Sequence, residues 1–150
     1  MKKIVFATVV LILSLILVAC GNTVSNPIQS ALDTRQAELK AKFEDYIPDE
    51  LKKISDARTV VKGDYVLFVI ADNPDSAISA FESNASTAAS AEDLMTKVKE
   101  NTSFVDEMLL LSQAKISDLY ALSDKVSESC VYVSASGATA EELAIFKIRQ

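Results

Sequence analysis

The spacing of apolar residues changes along the chain, and each spacing predicts a different element. Ile4 to Val18 is apolar except for Thr8 and Ser14. A second set of apolar residues recurs at intervals of three, four or seven: Ile28, Leu32, Leu39, Phe43 and Tyr46. This periodicity predicts one long amphipathic helix that Asn26-Pro27 opens and Pro48 stops, with one further turn after the proline.

A β-hairpin is predicted directly after this helix. The segment from Ala57 to Lys62 is rich in β-branched residues, and Gly63-Asp64 supplies a two-residue turn. The returning segment, Tyr65 to Ala71, is apolar on both faces. A strand of that kind is typical of the centre of a sheet covered on both sides.

Short helices are predicted between this hairpin and the end of the chain. Three groups of apolar residues mark them: Ala77, Ile78 and Phe81; Leu94, Met95 and Val98; Ile116, Leu119 and Tyr120. Residues 83–91 are rich in Ser and Ala, which indicates a linker or a frayed helix end. Ser90 and Asp93 have the spacing of a capping box for the second of these helices.

The last segment reads as a second hairpin. Val126 to Ala135 alternates, with Cys130 and Tyr132 opposite the neighbouring valines, and residues 136–139 form a turn before Glu142 to Arg149 returns. Two hairpins and amphipathic helices predict one α+β domain over residues 26–150. We expect a four-stranded antiparallel sheet with the long helix across one face and short helices beside it.

The N-terminal run has the features of an export signal. Lys2 and Lys3 precede it, and it is shorter than the roughly 20 residues that span a bilayer as a helix. Its end, Leu17-Val18-Ala19-Cys20 followed by Gly21, resembles the lipobox of bacterial lipoproteins. The resemblance implies cleavage between Ala19 and Cys20 and lipidation of Cys20.

Lipidation would define both the organisation and the location of the protein. Residues 1–19 would be the signal peptide and residues 20–25 a tether to the outer, extracytoplasmic face of the cell membrane. Two acyl chains give stable attachment, so the membrane is the expected partner of the N-terminus. An uncleaved signal anchor is the alternative interpretation.

Composition removes several classes of function. The net charge of the 150-residue chain is −6, and loss of Lys2 and Lys3 would make it more negative. An acidic domain is repelled by nucleic acid, so we expect no nucleic-acid partner. The absence of histidine removes the usual general base near neutral pH and the commonest metal ligand.

Cysteine usage argues against a disulfide-stapled fold. The chain has two cysteines, and lipidation of Cys20 would leave Cys130 without an intramolecular partner. The expected role of Cys130 is that of a small buried residue in a strand. A reactive thiol and an intermolecular bridge are the alternatives.

Two segments resemble a family of small lipoproteins from Gram-positive anaerobes known only as a domain of unknown function. Cys130 to Ile148 resembles the first hairpin of that family, and Ala37 to Ala71 resembles its second half. The family order is hairpin, long helix, hairpin, whereas here the long helix and second hairpin come first. The chain is then either circularly permuted, or built of two half-domains that complete each other in a domain-swapped homodimer.

The permuted order makes two geometric predictions. Both hairpins should share one sheet with the long helix across one face, and Gln150 should lie near Asn26.

No motif in the chain indicates a catalytic, cofactor or metal site. Asp72-Asn73-Pro74-Asp75 offers oxygen ligands, but it lacks the glycine and distal glutamate of a calcium loop and reads better as a strand exit and helix cap. Asp45, Asp49 and Glu50 indicate a solvated turn. Glu141-Glu142, near the start of a strand, is likewise expected to be exposed.

Each of two further groups of residues has both a structural and a functional interpretation. Ser134, Ser136 and Gly137 form a small-residue turn that could admit a ligand backbone, although no base stands near it in sequence. The tyrosines could line a groove, but core packing is the expected role of Tyr46, Tyr65, Tyr120 and Tyr132.

These observations favour a non-catalytic binding or accessory module held at the cell envelope, whose partner is a protein, a peptide or an envelope polymer. The alternative is a small extracytoplasmic enzyme or ligand-binding protein that works through carboxylates and tyrosines. That alternative requires a concave pocket with convergent polar groups.

Overall fold

A computed structural model describes residues 26–45 and 47–150 of the chain. The helices of this part are α1 (Gln29–Phe43), α2 (Pro48–Ser55), α3 (Pro74–Asn84), α4 (Ala91–Glu100) and α5 (Gln113–Tyr120). The strands are β1 (Arg58–Lys62), β2 (Tyr65–Ile70), β3 (Met108–Leu110), β4 (Val126–Ser134) and β5 (Glu142–Ile148).

The described strands form one antiparallel sheet in the order β1-β2-β5-β4-β3. Both predicted hairpins therefore share a sheet, as the permuted order requires, and the α+β class is confirmed. The predicted number of four strands is wrong, because β3 pairs with β4 as a fifth. This strand lies in a run of four apolar residues, Met108 to Leu111, which shows no alternation, so the pattern alone does not distinguish a short strand from a helix.

Helices cover both faces of the sheet. On what we call the α1 face, α1, α2 and α5 pack on alternate residues of the central strands, among them Val66, Phe68, Ala144 and Phe146. On the α4 face, α3 and α4 pack on the intervening residues, among them Leu67, Val69, Leu143 and Ile145. All six residues of β2 are buried, which confirms the prediction of a central strand.

The long helix begins later than its predicted cap. Asn26 does not cap α1. Its Oδ1 instead accepts a hydrogen bond from the Ile28 N–H at 3.1 Å, and the first helical residue is Gln29. The predicted apolar stripe is buried from Ile28 to Phe43, while Tyr46 lies outside the described residues. Pro48 begins α2, since its missing N–H would have no helical partner in the first turn.

The connection between α3 and α4 is short. α3 continues through Ser83 to Asn84, and Ala85 and Ala91 on either side of the connection are buried. Ser90 caps α4 by accepting a hydrogen bond from the Asp93 N–H at 3.0 Å. The Asp93 carboxylate accepts from the Ala89 N–H, one residue before the position that a capping box uses.

Both ends of the described domain border the connection between α5 and β4. Pro27 and Ser123 line the same groove, and the Arg149 N–H donates to the Lys125 carbonyl at 2.7 Å. The closeness of Asn26 and Gln150 themselves stays a prediction, and the Gln150 side chain donates to the Asp64 carboxylate in the first hairpin turn. Among the described helices, none has the length and apolar character needed to cross a membrane. The predicted signal peptide (residues 1–19), the predicted tether (residues 20–25) and the predicted lipidation site Cys20 lie outside the described residues.

Candidate functional site

A buried polar cluster surrounds the start of β5. We call it the β5 polar cluster, and its charged and hydroxyl-bearing members are Arg35, Glu50, Lys53, Tyr120, Glu141 and Glu142. The expectation that Glu141 and Glu142 are exposed is wrong: each is 1 % exposed. Glu50, predicted in a solvated turn, is also buried. The glutamates are buried because helices and loops cover the sheet where β5 begins. These covering segments are distant in sequence, so the position of the glutamates beside a strand does not predict their burial.

Glu142 is held by Arg35 and Tyr120. The Arg35 Nη2 and Nε donate to the Glu142 carboxylate at 2.6 and 3.1 Å, and the Tyr120 hydroxyl donates to Glu142 Oε1. Burial disfavours the charge of Arg35, but Glu142 outweighs this effect and raises the arginine pKa. Burial, and then the charge of Glu142, raise the pKa of Tyr120 well above its usual value. The three groups form a guanidinium–carboxylate–phenol network with the phenol protonated.

Lys53 joins α2 to the ends of two strands. Its Nζ lies 3.1 Å from Glu50, 3.1 Å from Asp72 after β2, and 3.8 Å from Glu141 before β5. Burial opposes the ammonium charge, but hydrogen bonds to Asp72 and Glu50 outweigh it and raise the lysine pKa. Glu50 also accepts the Ala140 N–H at 2.6 Å. A lysine held in this way remains a cation and is a poor candidate for a base.

Glu141 fixes the loop that leads to β3. Its two carboxylate oxygens accept the Val105 N–H at 2.8 Å and the Asp106 N–H at 2.9 Å, and the Thr139 hydroxyl donates at 3.1 Å. These are structural contacts between the turn before β5 and residues more than thirty positions earlier. The carboxylate accepts three hydrogen bonds and its side chain is 0 % exposed, so it presents no surface to a substrate.

Asp106 closes the turn between β4 and β5. The hydroxyls of Ser134 and Ser136 donate to its carboxylate, and the Gly137 N–H donates to the Ser134 Oγ at 3.1 Å. The bonds from Ser134 and then Ser136 lower the pKa of Asp106 to about 2. The small-residue turn considered for ligand binding is thus occupied by a side chain of the protein itself.

Three of the acidic positions singled out in the sequence, Asp49, Asp72 and Asp75, line an open groove. This α2–β1 groove has a volume of about 520 Å³ and is lined by Asp49, Lys52, Lys53, Ser55, Asp56, Ala57, Arg58, Ala71, Asp72, Pro74 and Asp75. Asp45 is exposed outside it. Within the described residues, no cluster of three carboxylate or thiol side chains is placed to hold a metal ion.

A second groove of about 300 Å³ runs between α1 and α5. Glu38 and Asp118 stand on its sides, and Ile28 and Leu119 contribute apolar surface. Tyr120 borders this α1–α5 groove, but its hydroxyl is turned away to Glu142.

The tyrosines of the described part pack as expected. Tyr65 and Tyr120 are 4 % and 1 % exposed, and Tyr132 is half-buried beneath the Lys99 ammonium, which lies 5.1 Å from its ring centre. Cys130 is buried in β4, and burial followed by the charge of Glu92 raises its pKa to about 11. The thiol is therefore protonated at neutral pH, which suits a packing role.

Sequence reasoning missed the two cations of the β5 polar cluster, although a signal for each is present. Arg35 lies three residues after Leu32 and four before Leu39, so it belongs to the buried stripe of α1 and not to its solvent side. Lys53 stands beside Ile54 and three residues after Glu50 on the buried face of α2. A charged residue at stripe spacing predicts a buried ion pair, but its partner cannot be read from spacing.

Comparison with known proteins gives one family match. The model of a family described as Domain of unknown function (DUF4358) matches residues 10–71. The matched range runs through α1, α2 and β1 and ends directly after β2, so it agrees with the resemblance drawn from Ala37 to Ala71. The second hairpin lies outside the match. No curated protein and no solved structure matches the chain.

Proposed function

We propose that this chain is a lipid-anchored module on the outer face of the cell membrane that binds a protein, peptide or envelope polymer without catalysing a reaction. The lipobox-like sequence ending at Cys20 supports the anchor. The acidic composition supports a partner other than nucleic acid or an anionic lipid surface.

The observation that carries the proposal is that the buried polar side chains are hydrogen-bonded within the protein. Within the described ranges, every buried side-chain nitrogen and oxygen has a hydrogen-bond partner in the protein. Catalytic groups are commonly buried, perturbed and directed into a cleft. Within the β5 polar cluster, the groups with shifted pKa values are Arg35, Lys53 and Tyr120, and each is directed at a carboxylate of the same domain. This arrangement supports a rigid scaffold rather than an active centre.

The α2–β1 groove is the surface that we propose for the partner. Its rim carries both signs of charge: Lys52 pairs with Asp56 at 2.5 Å, and Arg58 lies 3.8 Å from Asp75. These pairs are exposed and weak, so a partner can exchange them for its own charges at little cost. Lys53 also lines the groove, and its Nζ lies 3.1 Å from the carboxylate of the exposed Asp72.

The enzymatic alternative has less support. A tyrosine and a carboxylate do meet at Tyr120 and Glu142. However, the Tyr120 hydroxyl donates its hydrogen bond to Glu142, and Arg35 also donates to the same carboxylate. A reaction at this point would require the α1–α5 groove to open as far as the buried carboxylate.

Photocrosslinking in whole cells tests the binding surface. A benzophenone side chain in place of the exposed Lys52 is expected to give a defined heteromeric product, because this position faces the α2–β1 groove. Glu82, exposed on α3 and outside that groove, is the matched control. Absence of a product at Lys52, or the same products from both positions, would contradict the proposal.

Lipidation is tested by mass. The Cys20→Ser variant is expected to lose the lipid-modified form and the membrane association, because the thioether sulfur is gone. Cys130→Ser is the control and should keep both, since that thiol is buried in β4. Globomycin treatment of the parent chain should block cleavage before Cys20. A parent chain whose mass does not respond would contradict the anchor.

A further inference from the structure

The two edges of the sheet are built differently. The β1 edge has exposed charged residues at both ends, Arg58 and Lys62, which discourage another strand from pairing there. The β3 edge has no charge within its strand. Leu109 and Leu110 are 53 % and 49 % exposed, and the nearby Val105 is 71 % exposed.

The backbone of β3 offers unpaired groups at this edge. The Leu111 N–H donates to Val131 at 2.9 Å, and the Ala135 N–H donates to the Glu107 carbonyl at 2.8 Å. Residues of an antiparallel strand alternate between bonding to one neighbour and bonding to the other. Glu107, Leu109 and Leu111 therefore face β4, and the N–H and C=O groups of Met108 and Leu110 point outward.

Apolar side chains are exposed on both faces of this edge. Leu109 lies opposite Val133, which packs on the α1 face, and Leu110 lies opposite Tyr132, which packs on the α4 face. An isolated peptide strand would satisfy the backbone but leave both leucines partly exposed. A second copy of the chain places its own Leu109 opposite Leu109 and its own Met108 opposite Leu110, so that apolar side chains meet on both faces.

We propose that β3 pairs antiparallel with β3 of a second copy, with a two-fold axis at Leu109. In this register Met108 of each copy lies opposite Leu110 of the other, so all the outward backbone groups of both residues are paired. The two five-stranded sheets then become one continuous sheet. A register that pairs an odd-numbered residue of one β3 with an even-numbered residue of the other is excluded. It would set backbone groups that are bonded to β4 opposite backbone groups that point outward.

Charge favours the antiparallel arrangement. Glu107 precedes β3, and Lys115 follows it in the first turn of α5. Antiparallel pairing directs Glu107 toward the end of the partner strand that leads to Lys115, whereas parallel pairing would bring the two copies of Glu107 together. This proposal rests on the fold alone and is independent of the membrane anchor and of the α2–β1 groove.

Cysteine crosslinking in whole cells tests the register. Leu109 and its copy form a non-hydrogen-bonded pair, in which Cα atoms lie about 4.5 Å apart, within the range of a disulfide. Under mild oxidation the full chain with Leu109→Cys is expected to run at twice its mass without reductant. Lys62→Cys, on the other edge strand, and the parent chain are the controls and should remain monomeric in mass.

A proline variant tests the backbone contacts. Leu110→Pro, added to Leu109→Cys, removes only an outward N–H, so it should preserve the β3–β4 pairing and abolish the crosslink. The dimer hypothesis is overturned by absence of the Leu109→Cys dimer, by an equal dimer from Lys62→Cys, or by a crosslink only to another protein. If the proline variant does not fold, the comparison of the two cysteine variants still decides.

Discussion

At the scale of single residues, the β5 polar cluster explains how an acidic protein buries glutamates. Glu142 is buried because Arg35 neutralises it with a forked contact and Tyr120 supplies another donor. Glu141 is buried because backbone N–H groups and a hydroxyl bind it. Removing one partner from such a pair costs more than the pair contributes, because an uncompensated charge is left in the interior.

The Arg35→Met variant tests this explanation. We expect its free energy of unfolding to fall by about 3–5 kcal/mol, since Glu142 would keep its burial and lose its cation. Glu38→Gln is the control: Glu38 is exposed and 3.8 Å from Arg35, and its loss should change stability by less than about 1 kcal/mol. Denaturant unfolding measures both, and equal stabilities for Arg35→Met and the parent would refute the assignment.

Asp106 predicts an acid-dependent contribution to stability. Its pKa is about 2 in the folded protein, against an ordinary value of 3.8. The unfolded chain therefore binds more protons between these values, and the stabilisation is present above pH 3.8 and is lost as the pH falls toward 2. The difference in unfolding free energy between the parent and Asp106→Asn should narrow over that interval. Asp118→Asn, at an exposed position, is the control variant. A difference between the parent and Asp106→Asn that stays constant with pH would contradict the prediction.

At the scale of elements, a single capping residue at the end of a helix changes the free energy of unfolding. Ser90 satisfies the Asp93 N–H at the start of α4. Ser90→Ala should lower the free energy of unfolding by about 1 kcal/mol, because that donor loses its acceptor. Ser86→Ala, at an exposed position in the same connection, should have little effect. Thermal unfolding of the two variants distinguishes a cap from a general effect of removing a hydroxyl.

The end of α5 predicts a stabilising substitution. Ala121 has φ 44° and ψ 47°, in the left-handed region that disfavours a side chain. Ala121→Gly should raise the free energy of unfolding by about 1 kcal/mol, because glycine removes the steric cost at this position. Ala37→Gly, exposed within α1, should lower it by about the same amount. Denaturant midpoints that move in the same direction for both variants would contradict this interpretation.

At the scale of the whole molecule, residues from the two halves of the chain form one core. β2 and β5 pair along their whole length, and the Arg35–Glu142 and Lys53–Glu141 contacts join the same two regions. A circular permutation of the order hairpin, long helix, hairpin, which the sequence resemblance implies, would produce this seam and stays a prediction. A domain-swapped homodimer, in which two chains exchange these halves, remains a proposal of its own.

A relinked chain tests the permutation. Joining Gln150 to Asn26 through a short flexible linker, with new ends between Ser86 and Thr87, should preserve the fold, because both old ends border the α5–β4 connection. Circular dichroism and cooperative thermal unfolding should match those of the parent domain. New ends between Leu67 and Phe68 in β2 are the control and should prevent folding. If the chain with new ends between Ser86 and Thr87 does not fold, the permuted arrangement is overturned.

The sequence by itself determined most elements and their buried faces. The alternation in β4, the apolar run of β5 and the stripe of α1 are local patterns, and the burial of Val131, Phe146 and Leu39 follows from them. Turn chemistry at Gly63, where φ is +58°, located the first hairpin for the same reason. Each of these features depends on residues a few positions apart, so periodicity and backbone preference are sufficient to predict it.

Only the tertiary structure decided the site and the edge. Arg35 meets Glu142 across more than one hundred positions, and Glu50 meets Ala140 across ninety. Whether a glutamate near a strand start is exposed depends on which helix crosses above it, and whether Leu109 is exposed depends on which strand is last in the sheet. Such facts are set by packing between distant segments, which no local pattern encodes.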